Sequence, residues 1–247
     1  MLRQLKLWTA NRIIKRLMPP AVAAAHWEYS GIWSLHDDPS APTTDLIDVA
    51  CASIAAARKI DLSDLASMLP PNFGPLPNLW PGDHYRLLAG IVEVIKPQQI
   101  IEIGTSAGVS ALSMRRYMPA GGKLTTFDIT PWRKVPGTIL NDDHFRDGAM
   151  VQLTDNLTTK AVQVQHRSLF EQADMILVDA AKDGIMEREF IKFFNNCTFR
   201  NAPLVVFDDI KTWMMLNIWR SLRVPKLDLT SFGHFTGTGI CRWDRTS

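Results

Sequence analysis

Three short, nearly uninterrupted apolar runs lie in the second half of the chain, each closing on an acid or a glycine: Ile100-Ile101-Glu102-Ile103-Gly104, Met175-Ile176-Leu177-Val178-Asp179 and Leu204-Val205-Val206-Phe207-Asp208-Asp209. Continuous rather than alternating hydrophobicity over so few residues predicts strands covered on both faces, hence a parallel sheet between layers of helices. Lys123–Asp128 (KLTTFD) and Ala161–His166 (AVQVQH) read as two weaker strands. The intervals from Glu102 to Asp128 and from Asp179 to Asp208 are each close to the roughly 30 residues of one βαβ unit. Only Arg167–Asp174 separates the third predicted strand from the fourth, too little for a crossover helix, so an extended link is expected there. KLDLTSFGHFTGTGICRW near the C-terminus reads as two strands joined around Gly233–Gly237, an antiparallel hairpin. The expected fold is α/β: a doubly wound, mostly parallel, Rossmann-like sheet of seven strands closed by that C-terminal hairpin.

Upstream the period changes to that of helices. One is predicted over Asp45–Ala57 with Thr44 as N-cap, a short one over Leu62–Leu69, and one over His84–Ile95 capped by Asp83. Between the last two, PPNFGPLPNLWPG from Pro70 to Gly82 excludes regular structure and marks a stiff loop. It divides the chain into a helical N-terminal extension, 1–82, and a sheet domain, 83–247. Residues 1–18 place Leu2, Ala10, Ile13, Ile14 and Leu17 on one helical side and Arg12, Lys15 and Arg16 on the other, and Pro19-Pro20 end the pattern. Such a helix either packs on its own domain or a second subunit, or lies on an anionic membrane surface. The expectation is a cover over a substrate mouth or a contact in a homo-oligomer, with peripheral membrane contact as the alternative.

Composition narrows the class. With 247 residues, 46% hydrophobic and 21% charged, disordered, collagenous and coiled-coil chains are excluded. The cysteines Cys51, Cys197 and Cys241 form no CxxC pair, so neither a disulfide framework nor a thiolate zinc site is readable. No apolar run approaches the ~20 residues of a membrane span, and the start lacks a signal-peptide core. A cytoplasmic, non-exported protein is expected. The net charge of +2 arises from the N-terminus, where Arg3, Lys6, Arg12, Lys15 and Arg16 meet no acid. The α/β part carries no basic patch interleaved with aromatics, so nucleic acid is not the expected partner.

Candidate chemistry gathers at the strand ends. After the first strand comes Gly104-Thr105-Ser106-Ala107-Gly108-Val109-Ser110, where glycines at a strand-to-helix turn let the backbone approach a ligand. Asp128 ends the next strand, where a carboxylate can accept ribose hydroxyls. The G-x-G-x-x-G of dinucleotide sites is absent, because Ser106 occupies the second glycine's place. The pattern is instead E-x-G-x-x-x-G, with Glu102 placed to serve the cationic amino-acid end of S-adenosylmethionine; a plain structural turn is the other reading. Asp179 and Asp208-Asp209 also sit at carboxyl ends of strands, where ligand crevices of open α/β sheets lie. Neighbouring carboxylates call for a proton or a cation, and oxygen-only ligands favour Mg²⁺ before Ca²⁺ or Mn²⁺, while the lack of a His/Cys cluster argues against zinc. Acids at strand ends also cap helices and hold loops. Successive strand residues face opposite ways, so Asp208 and Asp209 can share an ion only where the strand has broken.

The stretches EIGTSAGVSAL and, at 119–129, PAGGKLTTFDI resemble the small cation-dependent class I O-methyltransferases of the catechol and caffeoyl-CoA type. The resemblance runs from about Asp83 to the C-terminus. It implies that Glu102, Gly104, Ser110 and Asp128 contact adenosylmethionine along the turn that holds Ser106 and Gly108, with Ser168 near the adenine. It also implies a cation held by Asp179, in the segment Asp179-Ala180-Ala181-Lys182-Asp183, and by Asp208-Asp209 where the family has Asp-Asn. Lys182 falls in the place of the family's general base. The family's tryptophan lies three residues beyond its Asp-Asn pair, whereas Trp213 lies four beyond Asp209. Ile129–Leu140, with Trp132 and two prolines, is a candidate cover for cofactor or substrate, and Phe73 and Trp80 are candidate walls of an apolar acceptor pocket. The function so implied is adenosylmethionine-dependent methylation of a small-molecule hydroxyl assisted by a divalent cation. A metal-independent enzyme with Asp179 or His234 as base, and a non-catalytic cofactor-binding protein, are the alternatives.

Overall fold

The computed structural model describes residues 40–71 and 82–244. Helices α1 (Thr44–Ala57), α2 (Ser63–Met68) and α3 (His84–Ile95) precede the sheet. Then follow β1 (Gln99–Ile103), α4 (Val109–Arg115), β2 (Lys123–Phe127), β3 (Met150–Leu153), α5 (Lys160–Glu171), β4 (Met175–Val178), α6 (Met186–Asn195), β5 (Leu204–Asp208), α7 (Met215–Ser221), β6 (Lys226–Asp228) and β7 (Thr238–Arg242). The sheet has seven strands in the order β3-β2-β1-β4-β5-β7-β6. The first five run parallel, and β7 pairs antiparallel with both β5 and β6.

The continuous apolar runs are explained by a core on each face. Ile100, Met175, Leu177, Leu204 and Val206 belong to the cluster that packs with α1, α3 and α4. Their neighbours Ile101, Ile103, Ile176, Val178, Val205 and Phe207 belong to the cluster that packs with α5, α6 and α7. Glu102 and Asp208 share parity with the first set, so the pleat aims both toward the α3 face. Chain order reverses between β1 and β4, and the carboxyl ends there open the crevice.

Two expectations are corrected. Residues 161–166 are not a strand: they lie in α5, and β3 is Met150–Leu153. Val162, Leu169 and Phe170 turn toward the second core at helical spacing, whereas Val164 is 68% exposed, and it was Val164 that produced the apparent alternation. The link from β3 to β4 therefore does contain a crossover helix. The connection without an α-helix is β2 to β3, where short 3₁₀ turns at Trp132–Lys134 and Asp142–Phe145 replace it. The second correction concerns caps. Thr43, not Thr44, caps α1, its Oγ1 accepting from Leu46 N–H at 3.3 Å. Asp83 occupies the cap of α3 but makes no side-chain cap bond, its carboxylate being paired with Arg86. The hairpin stands as expected. The amphipathic segment 1–18, Phe73 and Trp80 lie outside the described residues. No described helix is long and apolar enough to cross a membrane.

Candidate active site

At the end of β1 the backbone is forced. Gly104 has φ of 109°, and a Cβ there would sit 1.8 Å from the carbonyl oxygen of Asp179. Ser106 follows at φ 43°. A Cβ on Gly108, φ 87°, would strike the Leu140 side chain, and Ile139 N–H donates to the Ala107 carbonyl at 3.0 Å. The Ile129–Leu140 segment thus packs over this turn, with Trp132 stacked on Phe145. Asp128 ties the turn down: its Oδ2 accepts from the backbone of Thr105 and of Ser106, each at 3.1 Å, and its Oδ1 from Thr130 at 2.9 Å.

Glu102 is fully buried beneath the turn. Ser110 Oγ donates to its Oε1 at 2.5 Å, while Oε2 makes no hydrogen bond. Burial pushes its carboxyl up to about 8, well above the usual carboxylate range. Ser110, not Glu102, lines the cavity.

Two cavities meet at this crossing. The larger, about 420 Å³, runs from Ser106 and Ser110 past Tyr85 to Asp179, Lys182 and Asp208. The smaller, about 230 Å³, is walled by Phe127, Ile129, Leu157 and Phe190 and edged by Asp128 and Asn156. Ser106, Asp179 and Ala180 line both. Ser168 lies exposed on α5 and lines neither; the loop Asp155-Asn156-Leu157 lines the smaller cavity. Those three residues follow β3, and placing that strand at its true position would have exposed the signal. Trp213, 62% exposed, also lines neither cavity.

The charged end is built by two left-handed residues. β5 ends at Asp208, and Asp209 takes φ 54°, so the strand breaks where both carboxylates would otherwise diverge. Lys182, at φ 62°, returns its Nζ to Asp179 Oδ1 at 2.9 Å and also to Asp209. Non-glycine residues in this region store strain that the surroundings must hold. Here Glu187, itself buried, accepts the backbone N–H of Lys182 and of Gly184, each at 2.8 Å; sequence reasoning did not single it out.

One oxygen from each of Asp179, Asp208 and Asp209 lies within 4.8 Å of the others. Burial and the neighbouring Asp208 push Asp179 up to about 7. Burial alone would also raise Asp208, but His84, His234 and Lys182 hold it well below the usual range. Lys182 is partly desolvated, yet Asp179 and Asp209 hold its ammonium charged. Three carboxylates against one lysine, with no thiolate, fit a hard divalent cation. Contrary to the expected lack of a histidine cluster, the fold brings two histidines against the same acid. His234 Nε2 donates to Asp208 Oδ1 at 2.7 Å, and His84 Nδ1 lies 3.7 Å from that oxygen. Burial drives His84 down to about 4. Thr236 Oγ1 engages His234 Nδ1, so both nitrogens of this candidate base already have partners.

A family model described as O-methyltransferase matches residues 79–214, more than half of the chain. No curated protein sequence matches it. Solved structures similar to it include the SAH-bound methyltransferase PaMTH1 of Podospora anserina, 15% identical, covering 86% of this chain and 98% of that one at a TM-score of 0.47. Another is a methyltransferase from Geobacter sulfurreducens, 14% identical, covering 80% and 90% at a TM-score of 0.49.

Proposed function

Because the chain belongs to the O-methyltransferase family and is an S-adenosylmethionine-dependent methyltransferase, we propose that it methylates a hydroxyl of a small molecule, with a divalent cation held by Asp179, Asp208 and Asp209. The observation that carries this reading is the pair of cavities joined at Ser106, Asp179 and Ala180, one apolar and edged by Asp128, the other ending in three carboxylates and a lysine. When bound, the cofactor supplies an electrophilic sulfonium methyl, and the cation supplies the charge that acidifies a nearby hydroxyl.

The chain's own residues divide the work. Phe127, Ile129, Leu157 and Phe190 offer the apolar slot an adenine requires, and Asp128 retains lone pairs for a ribose hydroxyl after its three backbone bonds. Gly104 and Gly108 let the backbone come close, with Ser106 and Ser110 facing the larger cavity. Glu102 backs Ser110. Asp179 stands at the junction, where methyl donor and acceptor must align for in-line transfer. Lys182 Nζ lies beside this junction, but Asp179 and Asp209 hold its ammonium charged, so it would take the acceptor's proton at Nζ only after giving up its own, which requires those carboxylates to be engaged elsewhere. A second reading has one observation in its favour: Asp179 lines both cavities, and burial beside Asp208 raises its carboxyl above the usual carboxylate range, the direction that suits a general base acting without a cation.

The test is turnover with labelled adenosylmethionine against a panel of hydroxylated acceptors, with and without chelator. Loss of turnover in chelator, restored by Mg²⁺, supports the cation. Full activity in chelator transfers the base role to Asp179, and methyl transfer to nitrogen or carbon acceptors alone overturns the hydroxyl assignment.

A further inference from the structure

Two histidines far apart in sequence face one carboxylate oxygen at the floor of the larger cavity, and the proposed methyl transfer uses neither. His84, first residue of α3, and His234, in the loop between β6 and β7, are each 6% exposed, and Asp208 is 5% exposed. The rings meet edge to face with centroids 4.3 Å apart. We propose that His84, His234 and Asp208 form a site for one nitrogen-preferring divalent cation of the zinc type, chemically distinct from the three-carboxylate group.

Distance comes first. One donor atom from each residue lies within 4.8 Å of the others, with His84 Nδ1 3.7 Å and His234 Nε2 2.7 Å from Asp208 Oδ1; zinc bonds of ~2.0–2.2 Å set tetrahedral ligand atoms roughly 3.5 Å apart, so binding would open the His234 contact and draw the wider span in by about an ångström. Orientation comes second. The bond between Thr236 Oγ1 and His234 Nδ1 points Nε2 at Asp208, the outer partner that ligating histidines usually have. A threonine hydroxyl donates or accepts equally well, so it can stabilise the tautomer whose Nε2 lone pair is free.

The donor set is the third argument. Two imidazoles and a carboxylate suit zinc and its first-row neighbours and suit magnesium poorly. All three residues line the cavity, so a fourth coordination position opens to it. Both rings address Asp208 Oδ1, and a carboxylate has a second oxygen for other partners. Asp208 therefore belongs to two groups, and zinc bound by the histidines competes with a hard cation for it.

The experiment uses the full chain stripped of metal and does not depend on methyl transfer. Co²⁺ serves as the spectroscopic probe, and Zn²⁺ is titrated against a chromophoric chelator. The expected result is one Co²⁺ per chain with the intense visible absorption of a four-coordinate nitrogen-containing site, displaced by Zn²⁺ but not by millimolar Mg²⁺. His84→Gln and His234→Gln should each weaken Zn²⁺ by more than the roughly tenfold that loss of an outer partner costs, and abolish the band. Asp179→Asn should keep both. The proposal is overturned if native protein binds no Co²⁺ stoichiometrically or shows only the weak absorption of octahedral oxygen-ligated cobalt. It is equally overturned if folded histidine variants retain the band, or if Asp179→Asn removes it while they keep it. Should a histidine variant fail to fold, judged by circular dichroism, the native spectrum decides.

Discussion

Glu187 accepts the backbone N–H of Lys182 at 2.8 Å, and this bond sets the left-handed turn that carries the lysine back to Asp179. Its other oxygen holds Gly184 N–H. Glu187→Ala should free the turn and leave two amides without partners. Turnover is expected to fall at least about tenfold, with the affinity for S-adenosylhomocysteine changed much less. Stability should fall by about 2–3 kcal/mol, because bonds to a buried charged group are worth roughly 1.5–3 kcal/mol. Steady-state kinetics beside urea unfolding separates the two effects, and Glu187→Gln, which keeps one acceptor, should recover part of each.

Gly104 cannot carry a side chain. Its Cβ would lie 1.8 Å from the Asp179 carbonyl oxygen, so the ends of β1 and β4 would have to part. Overpacking typically costs about 1–3 kcal/mol, and loss of glycine's conformational freedom adds more. Gly104→Ala is therefore expected to lower stability by about 3 kcal/mol or more, read as a shift in the urea midpoint at unchanged slope. A variant as stable as the parent would refute the close approach.

Asp128 accepts three backbone bonds that shape the turn. Asp128→Ala should weaken S-adenosylhomocysteine binding by more than about tenfold, because both the ribose partner and the turn's geometry are lost. Asp128→Asn retains an acceptor and should fall in between. Titration calorimetry on the folded variants measures the order.

Glu102 makes stability fall as pH rises. Its carboxyl is pushed from 4.5 up to about 8 by burial, so between those values the folded chain keeps a proton that the unfolded chain has released. The contribution is complete below pH 4.5 and is lost progressively up to about pH 8. Glu102→Gln, neutral throughout, should flatten this part of the profile, which urea midpoints at a series of pH values will reveal. An unchanged slope would mean that Glu102 is already ionised in the fold.

Lys182 and the carboxylates should separate by assay. Lys182→Met is expected to cut turnover while Mg²⁺ still binds, whereas Asp179→Asn should lower both. Metal affinity measured apart from turnover distinguishes them, and loss of Mg²⁺ binding in Lys182→Met would give the lysine a structural role.

The sheet's centre was legible in local pattern because a strand covered on both faces must be apolar at every position, as β1, β4 and β5 nearly are. The same parity places Asp208 with Leu204 and Val206 on the α3 face. The third strand was not legible: β3 is a four-residue edge strand, and among its residues only Met150 is buried, so it leaves almost no periodic trace. The alternation of AVQVQH on a largely exposed helix imitated a strand more strongly than β3 did.

The shape of the turn at residues 104–110 and its anchoring by Asp128 follow from a strand turning into a helix, a local event that glycine and acid spacing records. The meeting of His84, Asp208 and His234 has no local record, because strand order and the antiparallel return of β7 bring them together. Neither has the convergence of Asp208 with Asp209, which requires the chain to leave the strand at φ 54°, a region that non-glycine residues seldom adopt although aspartate tolerates it better than most. Periodicity reports which face a residue takes within its own element. Which charges meet across elements is decided by packing, which must hold the strained residues in place.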